Sequence, residues 1–234
     1  MASRPTTSLF VLIFLTLLSS AAVAQNLVIR NALVFDGVSD QLSAPQDIAI
    51  RDGMISEIGR NLDVATGTRE IDAQNRVVMP GLINSHAHIM MQMPVGQALT
   101  TDAFYWAYVA TKAAKTMLDS GFTTIRDMSG NTFSLKQAID QGLVAGPRIY
   151  PSGAMISQTS GHSDHRTAAD SSRLLDPNSR SHFEELGMTM VADGRSEVLQ
   201  ASRENLRRGA TQIKIAVGGG ISSYGDPLDV TQYT

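Results

Sequence analysis

From residue 82 onward the sequence alternates short apolar runs with longer helical patterns. Strand-like runs cover 82–88, 123–127, 148–152 and 212–217, and apolar side chains recur at helical spacing in 104–120, 133–142 and 196–208. This alternation is typical of parallel βα units. A closed (β/α)8 barrel needs eight strands and about 250 residues. The sequence therefore predicts the first half of a TIM-type barrel, truncated after its fourth strand.

The residues before this alternation predict a separate β module. Short β-type runs at 27–29, 32–35, 47–50 and 54–58 are divided by turn sequences such as Arg51-Asp52-Gly53. A further strand-like run ends at Pro80-Gly81. We therefore predict an α/β fold with a small β module at 25–78 and a partial barrel at 79–234.

The first residues have the three parts of a signal peptide. Arg4 supplies a positive charge, residues 9–18 form an apolar run, and Ala22-Val23-Ala24 is a small-residue cleavage pattern. An N-terminal membrane anchor is the alternative, but the apolar run is shorter than the roughly 20 residues that span a bilayer. We predict that residues 1–24 are removed during export, which gives a secreted or periplasmic protein without a membrane attachment.

Composition limits the available chemistry. The chain has no cysteine, which excludes disulfides and thiolate ligands, so a metal site would use imidazole and oxygen ligands. Such ligands favour Zn²⁺ or another borderline divalent ion.

A net charge of −3, without a block of Lys and Arg, argues against a nucleic-acid partner. The sequence does not favour a particular oligomeric state.

His86 and His88 follow an apolar run at the predicted carboxyl end of the first barrel strand. Side chains alternate on a strand, so both imidazoles point to the same face and could chelate one metal ion. An H-x-H pattern is weak by itself, and two ordinary polar residues are the alternative. The position favours the metal site, because such barrels build active sites at the carboxyl ends of their strands.

Lys214 lies within the predicted fourth strand. Period-two alternation places Ile213 and Ile215 toward the helices and Lys214 toward the barrel interior. Burial of an unpaired ammonium is costly, which favours the neutral, nucleophilic amine. Such an amine could react with CO₂ to give a carbamate, an anionic oxygen ligand able to bridge two metals. A lysine that snorkels to the strand end or pairs with an acid is the alternative.

The segment 78–88, Val-Met-Pro-Gly-Leu-Ile-Asn-Ser-His-Ala-His, resembles the opening metal motif of the amidohydrolase superfamily. The block 213–221 with Asp226-Pro227 is similar to the fourth-strand lysine segment of the branch that contains imidazolonepropionase-related and Xaa-Pro dipeptidase-like enzymes. Gly161-His162-Ser163-Asp164-His165-Arg166 resembles the third-strand loop of that branch. Together these segments represent nearly all of the chain after residue 24.

This resemblance implies a small β-sandwich domain beside the barrel and a two-metal site in the complete fold. His86 and His88 would bind the first metal, and carbamylated Lys214 would bridge to the second. The family mechanism uses the metals to activate a water and polarise the scissile carbonyl, while an Asp on the last strand takes the proton. The sequence departs from this pattern because two further histidines and the general-base Asp are expected beyond Thr234, which leaves the catalytic residues unassigned.

Three other residues are candidates for substrate contact. The resemblance places His162 and His165 in a wall of the substrate pocket, with surface polarity as the alternative. Tyr224 could offer its hydroxyl to a substrate carbonyl, with packing as the alternative. For Arg126-Asp127, at the end of the second barrel strand, we predict a structural ion pair, with a role in shaping the site as the alternative.

The sequence thus predicts a metal-dependent hydrolase of amide-type C–N bonds that acts on a small-molecule amide or peptide, in the dipeptide or N-acyl amino acid class. A mononuclear deaminase or cyclic-amide hydrolase that uses His86 and His88 without a lysine bridge is one alternative. A non-catalytic fragment or binding protein that retains the fold is another. Since a half barrel exposes strand edges and apolar faces, we also predict that the isolated chain aggregates.

Overall fold

The computed structural model describes residues 26–223 and 225–233. The predicted signal peptide at 1–24 and the predicted substrate residue Tyr224 lie outside the described residues. Internal contacts divide the chain into two units, with the boundary between Pro80 and Gly81.

The N-terminal unit contains one mixed five-stranded sheet. Its strands are β1 (Leu27–Val34), β2 (Gln46–Arg51), β3 (Met54–Gly59), β4 (Arg69–Asp72) and β5 (Val77–Val78). The order is β3-β2-β1-β4, and β5 also pairs with β1. Strand β2 is antiparallel to β1 and β3, whereas β4 and β5 run parallel to β1.

A tight hairpin and a small core hold this sheet together. Asp52 and Gly53 have φ angles of 51° and 73°, the left-handed conformation that two-residue hairpin turns require. The predicted turn between β2 and β3 is therefore confirmed. Ala32, Ile48 and Ala73 form the buried cluster of the unit.

The C-terminal unit is built on a parallel sheet with the order β6-β7-β8. In chain order its first elements are β6 (Leu82–Ala87), α1 (Val95–Ala98), α2 (Ala103–Asp119), β7 (Phe122–Asp127), α3 (Phe133–Asp140) and β8 (Arg148–Pro151). They are followed by β9 (Met155–Ser157), α4 (His182–Glu185), β10 (Thr189–Val191) and α5 (Gly194–Arg207), with β9 and β10 paired in parallel.

The start, end and buried face of helix α2 each follow from a feature of its local sequence. The Asp102 side chain accepts hydrogen bonds from the backbone N–H groups of Phe104 and Tyr105, which caps the helix start. Gly121 follows the helix with a φ of 90°, a conformation that glycine adopts without strain. The inner face buries Trp106, Ala110 and Ala114 against the sheet. This helix coincides closely with the predicted 104–120.

The predicted fourth strand at 212–217 is not a continuous strand. Only one parallel bridge forms, between Ile156 of β9 and Ile215. The Ile156 N–H donates to the Lys214 carbonyl at 3.0 Å, and the Ala216 N–H donates to the Ile156 carbonyl at 2.9 Å. Nearer its start, the Thr211 N–H donates to the Pro151 carbonyl of β8 at 2.8 Å, so the segment contacts β8 and β9 at separate points and forms no continuous ladder with either.

The described residues form three sheets, of five, three and two strands, and no closed barrel. This mixed α/β arrangement agrees with the predicted fold class at that level. None of the described helices is long and apolar enough to cross a membrane.

Candidate functional site

The two histidines of the H-x-H motif converge at the carboxyl end of β6. Their Nε2 atoms lie 3.2 Å apart, and the ring centroids are 5.1 Å apart. Ala87 between them is buried, because its side chain faces the opposite side of the strand. Imidazole nitrogens are common ligands of Zn²⁺, and two of them this close together could bind the same ion. The pair therefore has the spacing of two ligands on one metal.

The surroundings keep both imidazoles neutral. The pKa of His88 is lowered to about 4, mainly by burial and in smaller part by electrostatic repulsion of its protonated form by His86, Lys214 and His162. Burial, followed by the charges of Lys214 and Arg126, lowers the pKa of His86 below its ordinary value. Metal ligation requires the unprotonated ring, so both residues are ready to bind a cation at neutral pH.

Lys214 lies in the same neighbourhood. Its ammonium contributes to the lowered pKa of both histidines, which places its charge close to the pair. The residue is half-buried, and its backbone is fixed by the hydrogen bond from Ile156. The charge of Lys214 is thus near enough to His86 and His88 to affect both rings, and the grouping of the three residues as the first half of a metal site stays a prediction.

A third conventional ligand is missing from this cluster. Among the described residues no three His, Asp, Glu or Cys side chains are placed to hold one metal ion. The donor set consists of two imidazoles and one amine, which fits part of a site for a borderline divalent cation.

His162 is near enough to His88 to affect the pKa of that ring, and its own ring is held by polar neighbours. Its Nδ1 lies 3.2 Å from Oδ2 of Asp226, and the Ser223 hydroxyl donates to the other carboxylate oxygen at 2.5 Å. The Gly220 N–H also donates to Asp226, at 2.7 Å. Burial opposes ionisation of Asp226, but the hydrogen bonds from Ser223, Gly220 and His162 outweigh it and hold its pKa below the ordinary value. An ionised Asp226 favours a proton on His162 Nδ1, which leaves Nε2 available as an acceptor.

The glycine run 218–220 allows this support to form. A Cβ on Gly220 would lie 1.9 Å from Cε1 of His162, so only glycine leaves room for the ring. A Cβ on Gly219 would lie 1.8 Å from the Pro227 carbonyl oxygen. These close approaches require glycine at 219 and 220, whereas a Cβ on Gly218 would make only an ordinary contact, 3.7 Å from the Val230 carbonyl oxygen.

His165 occupies a different environment from His162. It is 2% exposed, and its ring lies 4.4 Å from the ring of Phe183 in the core beneath the sheet. The neighbouring Asp164 accepts two hydrogen bonds from the Arg166 guanidinium. This burial contradicts the alternative of surface polarity for His165, and its place in a wall of the substrate pocket stays a prediction.

Arg126 and Asp127 do not form the ion pair predicted from the sequence. The Arg126 Nε donates to the Ser85 carbonyl at 2.8 Å, whereas Asp127 accepts from the Ile89 N–H at 2.9 Å. Adjacent residues on a strand point to opposite faces, which keeps the two charges apart. Burial raises the pKa of Asp127 to about 7, against the opposing effect of its hydrogen bonds.

Sequence reasoning also missed the role of Asp226. Its partner His162 is 64 positions away, and no periodicity or local spacing relates the two residues. In the sequence, the only indication of Asp226 was the Asp226-Pro227 pair that follows the lysine block 213–221 and shares its resemblance to the amidohydrolase superfamily.

A cavity of about 890 Å³ lies elsewhere in the C-terminal unit, between α5 and the loop before α4. Its lining includes Arg166, Arg173 and Glu197, together with Thr189 and Asp193. None of the described candidates His86, His88, His162, His165 and Lys214 lines it. The convergence of nitrogen ligands, and not cavity size, therefore identifies the candidate site.

Comparison with known proteins gives a consistent result. The model of the amidohydrolase family matches residues 77–234. Ochratoxinase from Aspergillus niger is 31% identical over 198 residues, which cover 80% of this chain and 41% of that protein. A crystal structure of an amidohydrolase superposes with a TM-score of 0.80 at 35% identity, over 89% of this chain and 51% of the other.

A crystal structure of a prolidase complexed with N-methylphosphonate-L-proline is also similar. Its TM-score is 0.79 at 34% identity, over 89% of this chain and 50% of that chain. The chain thus spans about half, or less, of the length of the relatives that it matches.

Proposed function

This chain belongs to the amidohydrolase family, and from that membership we propose that it carries the first half of the metal site of a hydrolase acting on amide-type C–N bonds. The observation that supports this most directly is the 3.2 Å separation of the His86 and His88 Nε2 atoms. Neutral imidazoles held at this distance at the end of a barrel strand are suited to one divalent cation.

The residues present fit such a cation, with Zn²⁺ as the first choice and other borderline divalent ions as alternatives. His86 and His88 would hold it, and Lys214 would join them as a carbamate formed with CO₂. A complete site would hold two metals bridged by that carbamate. When bound, the cation would polarise an amide carbonyl and make a water molecule more acidic.

His162 supplies a directed polar group next to the histidine pair. With Asp226 behind it, the ring is fixed in orientation, and Nε2 is the atom left to accept a hydrogen bond from the substrate. We therefore propose that His162 contacts the substrate. Tyr224 remains a proposed second contact, on the grounds of its position ten residues after Lys214.

The substrate class that we propose is a dipeptide or an N-acyl amino acid. Support comes from the similarity to a prolidase complexed with N-methylphosphonate-L-proline and to a protein named ochratoxinase. We also propose that the protein is exported, on the basis of the signal-peptide pattern at 1–24.

The test of the metal site is the number of bound metal ions per chain. The protein would be purified with Zn²⁺ and bicarbonate present and compared with the double variant His86→Ala/His88→Ala by elemental analysis. His182→Ala is the matched control, because the His182 ring contacts the Thr101 carbonyl and lies outside the proposed site.

We expect bound zinc in the wild type and in the control, and its loss in the double variant. Equal metal content in all three proteins would refute the assignment of His86 and His88. The activity would then be measured by release of the free amino acid from a panel of N-acyl amino acids and dipeptides, with the same variants.

A non-catalytic role is the second candidate. The absence of a third conventional ligand among the described side chains favours it for this chain taken alone. Bound zinc without hydrolysis of any substrate in the panel would support that candidate.

A further inference from the structure

Strand β6 contains one extra residue at the histidine motif. Asn84 pairs with Ile125 and Ala87 pairs with Asp127, so three steps along β6 correspond to two steps along β7. This β-bulge interrupts the ladder at Ser85 and His86, directly where the first metal ligand leaves the strand. Bulges bend a strand and redirect its side chains, but they leave backbone polar groups without their ladder partners.

The structure replaces those partners from neighbouring side chains. The His86 N–H donates to Oδ1 of Asn84 at 3.0 Å, and the Ser85 carbonyl accepts from Nε of Arg126 at 2.8 Å. One residue further on, the Ala87 carbonyl accepts from the Met128 N–H at 2.8 Å. One backbone polar group of each of Ser85, His86 and Ala87 is therefore held by a hydrogen bond.

The C-terminal end of the His86-Ala87-His88 segment is held by Asp127. Its Oδ1 accepts from the Ile89 N–H at 2.9 Å, which fixes the chain one residue after His88. Its Oδ2 accepts from the Thr132 hydroxyl at 3.2 Å, and the whole residue is inaccessible to solvent. A carboxylate with both oxygens engaged in a buried position has little freedom to move.

We infer that Arg126 and Asp127 are positioning residues that clamp the His86-Ala87-His88 segment from its two ends. Arg126 holds the residue before His86, and Asp127 holds the residue after His88. The 3.2 Å separation of the two Nε2 atoms depends on this backbone, because ligand sites lose function when displaced by about 0.5 Å or 10–20°. This inference rests on the proposed metal site.

Because Arg126 is positively charged, a purely electrostatic role and a positioning role predict opposite changes in metal affinity when Arg126 is removed. Its guanidinium lies close enough to His86 to lower the pKa of that ring. If Arg126 acted only as a nearby positive charge, its removal would strengthen the binding of a cation. A positioning role predicts the opposite, because removal would release the Ser85 carbonyl and loosen the chelating pair.

The experiment measures Zn²⁺ affinity by competition with a chromophoric chelator, together with the melting temperature of the metal-free chain. The variants are Arg126→Ala, Asp127→Ala and the conservative Asp127→Asn. Arg203→Ala is the matched control, since Arg203 is an exposed arginine on α5. Loss of an outer partner of a metal ligand weakens binding by about 10–100-fold, and we expect Arg126→Ala and Asp127→Ala to fall in this range.

Asp127→Asn should stay within about threefold of the wild type, because the amide oxygen can still accept from the Ile89 N–H. The control should match the wild type. Arg126→Ala decides the question if Asp127→Ala does not fold, since the Arg126 side chain is exposed and its removal leaves no cavity. Unchanged or tighter zinc binding by Arg126→Ala would overturn the positioning role while leaving the proposed function intact. A wild-type chain that binds no zinc would overturn both.

Discussion

Replacement of Asp127 by Asn should change how the stability of the chain depends on pH. The folded state raises the pKa of this carboxyl group from 3.8 to about 7, mainly through burial. Asn keeps an oxygen that can accept from the Ile89 N–H, and its amide can donate to the Thr132 hydroxyl. The variant therefore preserves the shape of the contact and removes only the ionisable group.

The expected magnitude follows from the two pKa values. Between pH 3.8 and about 7 the folded state binds the proton of Asp127 more often than the unfolded chain does, so stability falls as the pH rises. The stabilising contribution is complete below pH 3.8 and is lost as the pH passes about 7. Each pH unit within this interval costs about 1.4 kcal/mol, so the free energy of unfolding of the wild type should fall by about 2 to 3 kcal/mol relative to Asp127→Asn between pH 5 and pH 8.

Urea unfolding of dilute wild type and Asp127→Asn at pH 5, 6, 7 and 8 measures this difference. A chelator should be present, so that metal binding does not add to the stability of the folded state. The comparison cancels the titration of the histidines, which is shared by both proteins. A constant difference in the free energy of unfolding across this range would refute the reasoning, because it would mean that Asp127 keeps its ordinary pKa despite its burial.

Three further predictions concern the site and the sheet. Lys214→Ala in the zinc-loaded chain should lower the metal content measured by elemental analysis if the carbamate bridge forms, whereas an unchanged content would favour the mononuclear deaminase or cyclic-amide hydrolase. Gly220→Ala should displace the His162 ring, because the new Cβ would lie 1.9 Å from Cε1, and should shift the His162 signals in NMR spectra; unshifted signals would contradict the close approach. The chain should self-associate in light-scattering measurements, because β6 pairs only with β7 among the described strands and Ile83 is 69% exposed; a monodisperse monomer that melts cooperatively would contradict this.

Local patterns predicted the parts of the molecule that depend on neighbours in sequence. The apolar periodicity of α2 and its Asp102 cap are contained within one segment, so the helix was predicted almost to its ends. His86 and His88 are separated by one residue on one strand, which made their shared face predictable.

The remaining features depend on contacts between distant segments. The run at 212–217 has the composition of a strand, but its pairing depends on two separate segments, β8 and β9, and only one isolated bridge to Ile156 forms. The support of His162 by Asp226 and the bulge in β6 are set by tertiary contacts that leave no periodic trace. The burial of His165 against Phe183 was likewise not predictable from local sequence, because it depends on the path of a long loop.

The extra residue in β6 also determines which changes in chain length the site can tolerate. Side chains on a strand alternate with a period of two, so the removal of one residue reverses the direction of every side chain that follows. Deletion of Ser85 would remove the bulge beside the motif and would turn His86 and His88 toward the opposite face of the sheet. A deletion of equal size in the exposed loop at 170–180 would leave these directions unchanged. In the design of shortened or grafted versions of this sheet, the residue count between Asn84 and Ala87 is thus a stricter requirement than the identity of the residue at position 85.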